Sequence, residues 1–263
     1  MIYFIGAGPG AVDLITVRGA EILKQAQRII YAGSLVNPEI LTAYAKSDCE
    51  FFDSAGMTLE EITELLVSGH EEGVLTVRLH SGDPSIYGAV REQMNVLRKM
   101  NIPFEIVPGV SSLFAAASAL KTEYMIPDGT QTLIITRREG RTPVPEKENL
   151  KTLAVHGASI AVFLSAGMIE NVCNELIEGG YSPENPAALV FKASWPDERV
   201  IRGTLSTLPK LARGITKTAI IFAGDFLNDE ADSKSKLYDK NFSHEYRNSC
   251  LHEKGHNFSP ENS

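Results

Sequence analysis

Two short runs carry the residue types from which a small-ligand site is built. They are Gly6-Ala7-Gly8-Pro9-Gly10, after Tyr3-Phe4-Ile5, and His80-Ser81-Gly82-Asp83-Pro84-Ser85, after the apolar run that ends at Leu79. Each sets a Gly/Pro/Asp turn between a strand-like and a helix-like run, so backbone amides gather where the carboxyl end of a strand meets a helix start. A third turn, Val107-Pro108-Gly109-Val110-Ser111-Ser112, follows Phe104-Glu105-Ile106 and opens a helix of small residues ending at Leu120. Gly82 allows close approach of a ligand to the backbone, and Ser111 and Ser112 bring hydroxyls to a helix start. Asp83 either accepts from a ligand amine or hydroxyl or braces its own turn. His80 either carries a proton at a strand end or is a structural residue.

The first turn departs from the dinucleotide fingerprint G-x-G-x-x-G. Its last glycine position is Ala11, and Pro9 has no amide hydrogen to offer a pyrophosphate. About twenty residues on, Ile29-Ile30-Tyr31-Ala32-Gly33 lacks the acidic residue that would take a ribose hydroxyl, which argues against a nicotinamide-dependent dehydrogenase.

These turns need elements to hold them. Strand-like runs at 2–5, 28–31, 75–80 and 104–107 alternate with helical patterns at 16–27, 58–71 and 86–100, and Thr16 is placed to cap the first helix. Such alternation predicts a largely parallel sheet with helices on both faces. A second series opens at 132–136 and continues with strands at 160–164, 187–192, 199–203 and 218–223. Its helix, at 168–178, is closed by Gly179-Gly180. The Pro196-Asp197 turn before the strand at 199–203 predicts a hairpin and hence a mixed second sheet. The expectation is an α/β chain of two α/β domains, 1–120 and 121–227, with the active-site cleft between them and a polar tail, 228–263, without sustained periodicity.

With 263 residues, 43% hydrophobic and 22% charged, the chain can bury a sizeable core. A net charge of -8 argues against general nucleic-acid binding, and no run of eighteen apolar residues predicts a membrane span. The first residues read as a strand rather than a basic leader, and Cys49, Cys173 and Cys250 are scattered, so a reduced, cytoplasmic setting is expected. In the tail, Cys250 and His252 with His244 and His256 imitate a ligand cluster, but the spacing fits no paired finger pattern and no metal site is expected.

The order GAGPG, YAGSLV, DSAGMTLEE, SGDPSIYG, PGVSS resembles the tetrapyrrole methylases of corrin biosynthesis, over Met1 to Gly224. DSAGMTLEE, TRREGRTPVPE, FLSAG and FKASWPDERVIRGTL resemble the branch that methylates C11 of precorrin-4. The resemblance implies S-adenosyl-L-methionine as cofactor, S-adenosyl-L-homocysteine as product, a tetrapyrrole substrate with or without cobalt, and a homodimer. It also implies cofactor contacts at Pro9, Gly82, Asp83, Ile86, Ser111, Ser112, Leu164, Met168, Ala193 and Thr218. Met168 equally suits a core position on the inner face of its helix. Another corrin-pathway C-methyltransferase and a non-catalytic binder of the same ligands are the alternatives.

Methyl transfer from a sulfonium is a direct displacement that needs alignment and exclusion of water rather than a Ser-His-Asp set or a metal triad. A substrate rich in acetate and propionate arms calls for Arg and Lys. Arg137, Arg138 and Arg141 cluster at the end of the first strand of the second series, with Lys192 as a further candidate; the arginines equally suit a solvated surface. Tyr31 and Ser34 in YAGSLV, and Asp53, Ser54 and Met57 in DSAGM, are expected on loops lining the acceptor pocket.

Overall fold

The computed structural model describes residues 1–127 and 129–228, together with residues 235, 239, 241–243 and 245–246. The first half is a five-stranded, all-parallel sheet in the order β3-β2-β4-β1-β5, built from β1 (Ile2–Gly6), β2 (Arg28–Tyr31), β3 (Glu50–Asp53), β4 (Thr76–His80) and β5 (Phe104–Val107). Successive side chains on these strands point to opposite faces, so each face acquires its own core. Ile5, Ile29, Val77 and Leu79 pack under α1 (Val17–Leu23) and α2 (Glu39–Tyr44). Phe4 and Ile30 pack with Ile62, Leu66 and Leu97 of α3 (Leu59–Glu71) and α4 (Val90–Lys99). Each such fully buried side chain contributes ~1.5–3 kcal/mol of transfer free energy.

Local signals set the helix starts. Thr16 Oγ1 accepts from Gly19 N, and Thr58 with Glu61 forms a reciprocal capping box at the head of α3. Two helices are shorter than their periodicity predicts. The one expected over 16–27 ends at Leu23, because Gln27 N already donates to Leu75 O at the edge of the strand ladder. The one expected from residue 86 starts at Val90, because Tyr87 and Ala89 adopt left-handed backbone angles, φ 54° and 50°.

The second sheet has the order β6-β7-β10-β8-β9, from β6 (Leu133–Arg137), β7 (Ser159–Phe163), β8 (Pro186–Phe191), β9 (Arg199–Thr204) and β10 (Ala219–Ala223). β6 and β7 are parallel, the remaining pairs antiparallel, and β8-β9 is the expected hairpin. One face is covered by α6 (Leu150–Ala154), α7 (Ile169–Glu178) and α8 (Leu208–Leu211). The other face is covered by a helix from the first series, α5 (Ser112–Leu120), whose Leu113, Ala116 and Leu120 join Ala161, Val190 and Phe222 in one cluster. The two sheets are thereby joined through α5, and the carboxyl ends of β1, β4 and β5 face the second sheet across a cleft.

Candidate functional site

The connections leaving β1 and β4 run to opposite sides of the sheet, so these adjacent strands form its switch point. Three turns converge there. A Cβ on Gly6 would stand 2.5 Å from Gly82 O and from Gly109 Cα, and one on Gly109 would stand 2.2 Å from Gly82 O. No side chain fits at either position, which is why glycine stands at the ends of β1 and β5; Gly82, after β4, has room for a methyl but holds a left-handed φ of 63°. Asp83 braces the junction. Its Oδ1 accepts from Ser85 N and its Oδ2 from Gly109 N, both at 2.8 Å. Burial alone would raise its pKa, but these bonds and one from the Ser85 hydroxyl hold the carboxyl below the usual carboxylate range.

Above this junction lies a cleft of about 340 Å³. The first half lines it with Pro9, Gly82, Asp83, Ile86, Ser111 and Ser112, and the second with Leu164, Ala193 and Thr218, so nine of the ten residues expected at the cofactor share one cavity. Ser111 caps α5 by accepting from Leu113 N, and Ser112 opens that helix. Leu164, Lys192 and Thr218 hold left-handed φ values of 54°, 48° and 56° at the ends of their strands, and Leu164 stays 66% exposed. Such backbone angles in non-glycine residues each cost ~1–3 kcal/mol and gather at ligand sites. Met168 is not in this lining. Its Sδ lies 3.4 Å from Arg138 Nη1, beside Gly140.

Two residues of β4 complete the floor. His80 is 5% exposed and its Nε2 has no hydrogen-bond partner; burial, then the charge of Arg78, pushes its pKa down to about 3. It is therefore a neutral imidazole at the cleft rather than a charged one. Arg78 is 6% exposed, bonded to Gln93 Oε1 and Ile30 O, and faces no carboxylate partner among the described contacts; burial pushes its pKa down to about 10. A buried guanidinium compensated only by neutral acceptors is a site of unspent positive charge. Sequence reasoning missed it because an Arg within Thr-Val-Arg-Leu-His reads as a solvent-facing position, whereas both faces of this sheet are covered. It also missed Tyr87, Phe163 and Trp195, all in the lining, although they stand inside the motif strings SGDPSIYG, FLSAG and FKASWPDERVIRGTL.

The residues expected on the acceptor side divide. Ala32 and Leu35 of the loop after β2 line the cleft, with half-buried Tyr31 and exposed Ser34 beside them. That loop is pinned to the next one: Ser54 Oγ donates to Tyr31 O, and Asp53 Oδ1 accepts from Gly33 N and Ala55 N. Met57 packs against the Phe4 core. Lys192 lines the cleft and pairs with Asp197 at 2.7 Å. The three arginines are not brought together there. Arg138 pairs with Glu175 over a separate open pocket of about 430 Å³, Arg137 donates to Thr142 O and Pro143 O while its charge acts on the Tyr87 hydroxyl, and Arg141 is exposed.

Among the described residues no group of His, Cys, Asp or Glu is arranged to hold a metal ion, and no helix is long and apolar enough to cross a membrane. Cys250 and His244, His252 and His256 lie outside the described residues.

The arrangement has counterparts in known proteins. A cobalt-precorrin-4 C(11)-methyltransferase from Methanocaldococcus jannaschii is 52% identical over 250 residues, covering 94% of this chain and 96% of its own. The X-ray structure of a cobalt precorrin-4 methyltransferase superposes with a TM-score of 0.84 at 48% identity, covering 86% of this chain and 95% of that one. A uroporphyrin-III C-methyltransferase from Thermus thermophilus, solved with S-adenosylhomocysteine, gives a TM-score of 0.73 at 26% identity, with 86% and 98% coverage. The family model for tetrapyrrole (corrin/porphyrin) methylases matches residues 1–209, and with well over half of the chain inside it and the cleft in place, this chain belongs to the tetrapyrrole methylases.

Proposed function

We propose that the cleft takes S-adenosyl-L-methionine and a tetrapyrrole together and transfers the methyl group to C11 of precorrin-4 or its cobalt form, giving the corresponding precorrin-5 and S-adenosyl-L-homocysteine in cobalamin biosynthesis. The observation that carries the reading is the meeting of nine of the ten expected cofactor residues in one cavity, between glycine turns with close-packed backbones and an apolar second wall. The 52% identity to a cobalt-precorrin-4 C(11)-methyltransferase over nearly the whole chain supports the choice of substrate.

The donor, when bound, supplies a methyl on a positively charged sulfur: the C11 electron pair forms the new C–C bond as the S–C bond breaks, and its electrons stay on sulfur. The residues here bind, align and exclude water, which is the work such a displacement needs. Backbone groups of the Gly82 turn, the hydroxyls of Ser111 and Ser112, and the neutral His80 Nε2 offer hydrogen bonds from uncharged groups. Leu164, Ile86, Ala193 and Val190 wall the donor from solvent. Arg78 gives the floor a positive charge for a propionate or acetate arm. The loops holding Tyr31, Ser34, Asp53, Ser54 and Met57 form the acceptor side, with Arg137 at its margin. We read the two sheets as two domains, 1–120 and 121–227.

The chain is proposed to act as a cytoplasmic homodimer. The buried free thiols of Cys49 and Cys173 suit a reducing compartment. Ile106 on edge strand β5 and Phe114 on α5, both exposed, offer apolar surface to a second copy.

Calorimetric titration with S-adenosylhomocysteine, NAD and NADP tests the donor, and turnover with methyl-labelled donor followed by mapping of the label tests the acceptor. Binding of S-adenosylhomocysteine alone, at ~1 μM, and label at C11 are expected. Binding of a nicotinamide cofactor, or label on another ring carbon, would overturn the corresponding half of the reading.

A further inference from the structure

Away from α5, two hydrogen bonds join the glycine turn after β1 to the loop 192–198 of the second half. Trp195 Nε1 donates to Pro9 O at 2.9 Å, and Ala11 N donates to Ser194 Oγ at 3.0 Å. Between them stands Gly10. A Cβ there would lie 2.1 Å from the indole Cδ1 and 2.3 Å from Nε1, so the indole occupies the space a side chain would need. Gly10 is not among the residues with positive φ, so its backbone is one any residue adopts and glycine serves here for room alone. On the far side Gly10 O accepts from Asn37 Nδ2, which is buried and belongs to the loop after β2.

The loop that presents Trp195 is braced from within. Lys192 pairs with Asp197 and lies 5.1 Å over the indole, Ser194 N donates to Glu198 Oε2, and Trp195 N donates to Lys192 O. Lys192 and Ser194 both hold left-handed backbone angles, so the loop spends strain to reach across. Pro9, Leu35, Lys192, Ala193 and Trp195 all line the cleft, so the bridge lies on its wall.

We infer that Trp195, seated on Gly10, is the latch that fixes the spacing between the two halves of the cleft, and that it is a positioning residue for the adenosyl ligand. The second clause rests on the cofactor reading above; the first does not. The latch also ties the donor turn to the acceptor loop, since Gly10 is held on one side by the indole and on the other by Asn37.

Trp195 is the single tryptophan of the chain, so its fluorescence reports the latch with no added label. In the full-length, ligand-free protein, Gly10→Ala is expected to shift the emission to the red and to raise acrylamide quenching by about twofold as the half-buried indole is displaced, while the melting temperature moves by ~4 °C or less. Emission and quenching unchanged in a folded Gly10→Ala protein would overturn the latch. Where Gly10→Ala does not fold, Ser194→Ala, which removes the acceptor for Ala11 N, is read the same way. In titrations with S-adenosylhomocysteine, Gly10→Ala and Trp195→Phe are expected to weaken binding by ~10-fold and ~3-fold, and unchanged affinity in both would overturn the positioning role. Wild-type protein that binds no S-adenosylhomocysteine would count against the cofactor reading and the positioning role it supports, leaving the emission result to decide the latch.

Discussion

Gly8 and Gly82 face each other in an isolated antiparallel bridge, Gly82 N donating to Gly8 O at 2.8 Å and Gly8 N to Gly82 O at 3.3 Å. The two turns that stand out in the sequence are thus one structure, a backbone clasp spanning the switch point between β1 and β4. Both glycines have positive φ, 83° and 63°, so the clasp depends on conformations that side-chain-bearing residues pay to adopt.

Gly82→Ala should therefore act on binding more than on folding. The new methyl has room, 3.5 Å from Ser112 N, and the left-handed angle costs ~1 kcal/mol. It would project toward the cleft floor between the turn and α5. A fall of a few degrees in Tm with a rise of at least ~10-fold in the S-adenosylhomocysteine Kd is expected from paired thermal and calorimetric measurements. A Kd equal to wild type would show that no ligand approaches this turn.

Arg78→Met removes a buried charge that no carboxylate among the described residues pairs with. Gln93 Oε1 and Ile30 O each lose a donor, but the desolvation cost of the guanidinium disappears, so stability should stay within ~1 kcal/mol of wild type. The loss is expected in KM for the tetrapyrrole, ~10-fold or more, the worth of one charge-assisted bond, with S-adenosylhomocysteine affinity unaffected. Steady-state kinetics with both ligands varied separates this from a general loss of activity.

His80 ties stability to pH. Its folded-state pKa of about 3 lies below the ordinary value of 6.5, so on acidification the unfolded chain takes the proton first. The contribution is complete above pH 6.5 and drains away toward pH 3, by ~1.4 kcal/mol per pH unit, or ~2 kcal/mol at pH 5. Urea midpoints at pH 7.5 and 5.0 should diverge less in His80→Leu than in wild type. Equal divergence would mean that the imidazole is hydrated in solution.

Gly33→Ala addresses the loops proposed for the acceptor side. The methyl would stand 2.3 Å from an Asp53 carboxylate oxygen and break the bond from Gly33 N that holds the β2 and β3 loops together. Turnover should fall several-fold while donor binding is retained. A parallel fall in S-adenosylhomocysteine affinity would show that the two loops serve the donor as well.

The residues that meet in the cleft were legible because they lie in turns, where Gly, Pro, Asp and Ser have backbone reasons to appear in order, and all of β1, β2, β4 and β5 surfaced through their apolar runs. β3 did not, because Glu50-Phe51-Phe52-Asp53 is a short edge strand exposed along much of its length and has no core-facing run to display. The early start predicted for α4 failed at Tyr87 and Ala89, whose left-handed angles follow from the turn they close and not from their residue types. Arg78 was invisible for a related reason: its meaning lies in its burial and in the neutral acceptors, Gln93 Oε1 and Ile30 O, that the fold places beside it. The arginine trio does not stay together in space, because adjacency along β6 and its loop sends Arg137 and Arg138 to different partners.

The strand order of the first sheet has a bearing on where the chain tolerates change. The turns proposed to serve the donor leave the centre of that sheet and one flank, β1, β4 and β5, whereas Asp53, Ser54 and Met57, proposed for the acceptor side, follow β3 at the opposite rim. Substitutions and insertions at a rim disturb few neighbours, while those at the centre disturb three convergent glycine turns. On the proposed assignment, the loop after β3 can therefore vary with less disturbance to the fold than the three glycine turns can.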